Sequence, residues 1–241
     1  MVSIRISALL VTILVGGLLA GLLAAGFHAV ATEPIIDEAI AIEEMHHADE
    51  PSGAEPTVSR PMQKIGLFVG WLTLGFIYAA LLGVSYVVAR TRGWVGSGRV
   101  APAVLTLAAY FAIALVPALK YPANPPGVGD PDSIGFRQSA FIACWALSIA
   151  GAVLAAAIAV RIPLGPAGRA ASGALVFLVW SVGLYLVLPA NPDPITMPPA
   201  LVDAFRVRSV EGLTLFWLVL GAVLAAFSAR LTQGSGTALG K

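Results

Sequence analysis

The chain has 241 residues, of which 58% are hydrophobic and 11% charged, with a formal net charge of +1. Soluble domains carry about 25% charged residues, so a water-covered globule of this size is excluded. Its single cysteine, Cys144, excludes an internal disulfide framework.

Six apolar runs follow in chain order, at 6–31, 65–89, 100–119, 139–160, 170–188 and 212–229. Each is about 18 residues or longer without a formal charge inside it, the length at which a helix crosses about 30 Å of hydrocarbon. Gly and Ala recur within them, as in Gly16-Gly17-Leu18-Leu19-Ala20-Gly21. Small residues of this kind let membrane helices approach backbone to backbone. The first run starts behind Arg5 and ends on Ala29-Val30-Ala31, which resembles a cleavage site. Its apolar part is about 20 residues, however, against about 7 to 15 in a signal peptide, so it reads as a retained helix. The expectation is an all-α, polytopic transmembrane bundle in one domain over 1–231, with a flexible tail at 232–241.

The segment after the first run is acidic: Glu33-Pro34-Ile35-Ile36-Asp37-Glu38-Ala39-Ile40-Ala41-Ile42-Glu43-Glu44-Met45-His46-His47. Pro34 suits a first helical turn. Ile35, Ile36, Ala39, Ile40 and Ile42 then make one apolar side, so a short amphipathic helix is expected here. The stretch 51–60 contains Pro, Ser and Gly and reads as the return to the second span. The loops after the third and fifth runs share Pro-Ala-Asn-Pro, at 122–125 and 189–192. Proline stiffens such loops and keeps them extended.

Alternating the loops between two sides segregates the charges. One side has eight basic residues, Arg5, Arg90, Arg92, Arg99, Arg161, Arg169, Arg230 and Lys241, and no acid. The other has six basic residues and all thirteen acidic ones, a net charge of −7. Basic residues mark the cytoplasmic side. The six spans are therefore expected as three outward-facing hairpins in the inner membrane, with both termini cytoplasmic. An acidic outer face also concentrates cations.

The candidate metal ligands lie on that face. Glu43 and His47 are four residues apart, on one side of a helix, with Glu44 and His46 beside them. Imidazole and carboxylate suit Co²⁺, Ni²⁺, Zn²⁺ or Mn²⁺; a solvated acidic loop is the plainer alternative. His28 is an ionisable residue deep in a span, a functional candidate by default, and Glu33 follows about one and a half turns later. Asp130 and Asp132 form a pair that either binds a cation or lets Asp132 cap the next helix. Lys120 and Arg137 flank that pair as potential ion-pair partners, and Asp203, Arg206, Arg208 and Glu211 read as an interfacial helix. Walker, Gly-x-Ser-x-Gly, His-Glu-x-x-His and Cys-x-x-Cys patterns are missing. Neither catalysis nor nucleic-acid binding is expected, and no permanently bound cofactor.

The first span running into Glu33-Pro34-Ile35-Ile36, the segment Pro117-Ala118-Leu119-Lys120-Tyr121-Pro122-Ala123-Asn124-Pro125-Pro126-Gly127-Val128-Gly129-Asp130-Pro131-Asp132-Ser133-Ile134, and the run Phe205-Arg206-Val207-Arg208-Ser209 together resemble the CbtA family of predicted cobalt transporter subunits. The resemblance implies a membrane subunit for cobalamin-linked cobalt uptake, with Co²⁺ or Ni²⁺ as the ion moved. It also implies a small single-span, His-rich CbtB-type partner, and it leaves a homo-oligomer open. The family is described with five spans, where six are read here. The alternative is a non-transporting assembly or sensor subunit whose acidic loop docks a partner.

Overall fold

A computed structural model describes residues 2–46, 58–95 and 98–234. Its helices are α1 (Ile6–Ala31), α2 (Glu33–His46), α3 (Arg60–Thr91), α4 (Val100–Ala109), α5 (Val116–Lys120), α6 (Ile134–Ala159), α7 (Pro166–Val187) and α8 (Pro199–Leu231). A π-helical turn, Tyr110–Leu115, joins α4 to α5 into one span. Six helices are long and apolar enough to cross a membrane. Large apolar side chains such as Leu14, Val153 and Val187 stay exposed along them, as a lipid-facing surface requires.

Proline sets many of the boundaries. α3, α7 and α8 all have Pro in the first turn, where its missing N–H costs nothing. α5 ends at Tyr121 before Pro122, and α7 at Leu188 before Pro189, because the residue before proline avoids helical angles. Pro117 sits inside the third span and removes one helical donor. The π-helical turn lies directly before it: Val116 N–H donates to the Phe111 carbonyl, five residues back. Such widened turns are one way a helix absorbs an interior disruption.

The chain forms two compact units. The first holds α1, α3, the start of α4 and α8 from Glu211 onward. Here α1 and α3 run antiparallel, since Leu9 approaches Gly83 while Gly21 lies against Leu72. At their closest point Gly75 faces the backbone carbonyl of Gly17, and any β-carbon there would overlap it. This is the backbone-to-backbone packing that small residues permit in lipid. The buried side chains Tyr86, Phe216, Trp217 and Leu220 belong to the same unit. The strand Val2–Ile4 pairs antiparallel with Thr232–Gly234, and Arg5 N–H donates to the Leu231 carbonyl at 3.1 Å. The beginning of α1 and the end of α8 therefore lie side by side. An even number of crossings places both ends on one membrane face, which allows that pairing.

The second unit holds α2 from Ile35 and residues 108–210, including α8 as far as Val210. α6 and α7 pack closely, with Gly151 of α6 against the Trp180 ring and Trp180 Nε1–H donating to the Leu147 carbonyl at 2.9 Å. The acidic segment is helical from Glu33. Ala39 is fully buried, whereas Asp37, Glu38 and Glu44 are exposed. One boundary differs markedly from the hydropathy pattern. α8 begins at Pro199, well before the apolar run at 212, so Asp203, Arg206, Arg208 and Glu211 form the first turns of the spanning helix itself.

Candidate functional site

In the first unit His28 is 7% exposed. Its ring stacks on Trp71, with centroids 4.9 Å apart and planes 13° from parallel, and Phe27 meets it edge-on. Nδ1 lies 2.9 Å from Thr32 Oγ1. Nε2 is buried without a hydrogen-bond partner and faces Gly212, where a β-carbon would strike the ring. In the tautomer whose Nδ1–H donates to Thr32, Nε2 carries a lone pair. A ligating histidine is held in just this way, with its other nitrogen engaged.

Glu33 is 7% exposed, and its Oε2 accepts from Arg60 Nη2 at 2.7 Å, with Lys64 Nζ at 3.8 Å. Its carboxylate therefore sits between two cationic groups, one of which also donates to Gln63. His28 and Glu33 use different partners and are not drawn into one ligand set.

In the second unit the two Pro-Ala-Asn-Pro loops meet. Tyr121 Oη donates to the Pro189 carbonyl at 2.8 Å, and Arg206 Nη2 donates to Asn124 Oδ1 at 2.7 Å. Gly127 and Gly129 have φ of 77° and 113°, angles that side chains with a β-carbon avoid. At Gly127 a β-carbon would also meet Met197 and approach the Glu43 carboxylate at 3.3 Å. Glu43 thus stands beside this loop. Glu44 is exposed on α2, and His46 ends that helix; the His46 side chain and His47 lie outside the described residues.

The centre of the cluster is a carboxylate that the sequence did not single out. The Asp193 side chain is 3% exposed. Its Oδ2 accepts from Ser133 Oγ at 2.8 Å and from Asp130 N–H at 3.2 Å. Arg137 Nε stands 3.1 Å away with its N–H aimed off the oxygen, so the pair is held by charge rather than by an aligned hydrogen bond. Arg137 Nη2 also donates to the Asp130 carbonyl at 3.1 Å.

Arg137 therefore pairs with Asp193 rather than with the nearer acids in sequence. The capping role belongs to Asp130, whose Oδ1 accepts from Asp132 N–H at 2.8 Å, and not to Asp132. Asp132 is exposed in the first turn of that short 3₁₀ helix. The repeated loop motif is the signal that could have found Asp193, because Asn191 Oδ1 accepts from Asp193 N–H and fixes the turn that carries it. Among the described residues, no three His, Cys, Asp or Glu side chains converge to hold a metal ion.

Six helices long and apolar enough to cross a membrane define a multi-pass membrane protein. The chain belongs to the CbtA family, described as "Probable cobalt transporter subunit", whose model matches residues 6–229. No curated protein and no solved structure matches the chain.

Proposed function

We propose that this chain is the membrane subunit of a divalent-cation uptake system, with Co²⁺ as the ion moved and Ni²⁺ as its closest substitute. The observation that carries the reading is the family match, which runs unbroken across all six spanning helices. His28 supports it, since a buried imidazole with one nitrogen oriented and the other unpartnered suits a borderline divalent ion. Glu43, Asp130 and Asp132 supply carboxylates at or beside the loop cluster, and the His46-His47 pair adds imidazoles at the end of α2. In this reading the loops face outward from an inner membrane and both termini are cytoplasmic. The ion is collected at the acidic face and handed inward, with no chemical transformation by the chain. A small single-span, His-rich CbtB-type subunit is the partner, and it supplies a stronger metal trap.

The test is uptake of labelled cobalt and nickel by cells expressing this chain with that partner. Accumulation above control cells is expected, with cobalt preferred. Replacing His46 and His47 with Ala is expected to raise the half-saturating concentration. Uptake equal to controls, with the chain demonstrably in the membrane, would return it to a non-transporting assembly or sensor subunit.

A further inference from the structure

The second unit contains an apolar cavity of about 380 Å³, bounded by the π-helical turn and α5 on one side and by α6 and α7 on the other. Phe111, Leu115, Cys144, Phe177 and Leu178 are among its walls. All five lie in helices long and apolar enough to cross a membrane. The nearest surrounding solvent is therefore lipid tail, and a cavity with such walls takes hydrocarbon.

One end of the cavity is different. Lys120, the last residue of α5, lines it beside Tyr185. Lys120 Nζ donates to the Tyr185 carbonyl at 2.8 Å and lies over the Tyr185 and Tyr121 rings, 5.0 and 5.8 Å from their centroids. An ammonium has three donors, so this geometry fixes the group in place while leaving it able to bind an oxyanion. Lys and Tyr at the end of a span are at headgroup depth. An apolar slot ending in a positioned cation is complementary to a molecule with a hydrocarbon tail and an anionic head.

We propose that this cavity is a binding site for an anionic phospholipid, one acyl chain lying along α5, α6 and α7 and the phosphate on Lys120. The site is separate from the metal-handling residues, and its test reads lipid rather than ion. The purified full-length chain in detergent is titrated with phosphatidylglycerol or phosphatidylcholine of the same chain length, and thermal shift and retained lipid by native mass spectrometry are recorded.

Phosphatidylglycerol is expected to bind about fivefold more tightly, the scale of one basic residue near an anionic surface. Lys120→Gln should abolish that preference while keeping retention of both lipids, and Lys120→Arg should preserve it. Ala174→Phe, which fills the cavity from α7, should lose both lipids with the fold intact by circular dichroism. Equal affinity of the unaltered chain for the two lipids, or full lipid retention by Ala174→Phe, would overturn the proposal.

Discussion

Asp193→Ala removes the carboxylate on which the loop cluster of the second unit closes. Three groups converge on its Oδ2: the Arg137 guanidinium at 3.1 Å, the Ser133 hydroxyl at 2.8 Å and the Asp130 amide at 3.2 Å. Truncating one partner of a fully buried ion pair costs about 3–5 kcal/mol, chiefly because the other charge is stranded. Arg137 keeps 30% of its side chain exposed, so water recovers part of that loss. A cost of about 2–3 kcal/mol follows. For a chain of this length it corresponds to a fall in Tm of roughly 5–10 °C.

Asp193→Asn keeps an acceptor for Ser133 and the amide but loses the charge, and should cost about half as much. Thermal unfolding in detergent measures both variants, and a cycle with Arg137→Met isolates the pair. The reasoning fails if Asp193→Ala melts within about 1 °C of the parent chain, or if the two substitutions add without a coupling of about 1 kcal/mol.

Gly75→Ala should destabilise by about 1–3 kcal/mol, because the new methyl meets the Gly17 carbonyl. Gly66→Ala, where the space is open, should be neutral or gain up to about 1 kcal/mol; the same melting experiment compares them, and equal effects would contradict the α1–α3 packing. Gly127→Ala imposes a left-handed angle on a residue with a β-carbon and drives it into Met197. A loss of at least about 1–2 kcal/mol is expected, visible as faster proteolysis of the loop. His28→Ala should raise the half-saturating cobalt concentration several-fold at unchanged membrane abundance, and an unaltered uptake curve would remove His28 from the ion path.

The spanning helices were legible because lipid demands long uncharged runs, and each run is a helix in the structure. The helix over 203–211 was legible but its continuity with the last span was not, since these residues lower hydropathy without interrupting the backbone. Arg206 there reaches across to Asn124 instead of breaking the helix. The π-helical turn was also hidden. Pro117 announces a disturbed helix but not how the chain absorbs it. His28 could be read as buried from its position alone, whereas the Trp71 stack and the Thr32 contact come from neighbours that hydropathy does not register. Asp193 was overlooked for the opposite reason. Among prolines it resembled a solvated loop acid, and its burial depends on a partner loop 60 residues away.

The pairing of Glu33 changes what an approaching ion experiences at that part of the first unit. The carboxylate is 9% exposed, while the Arg60 and Lys64 side chains around it are 29% and 46% exposed. Glu33 is thus already spoken for, and it lends that face less free negative charge than its place in the most acidic segment suggests. What a carboxylate offers an ion depends on the neighbours that claim it first, and a tally of acids along the chain does not contain those neighbours.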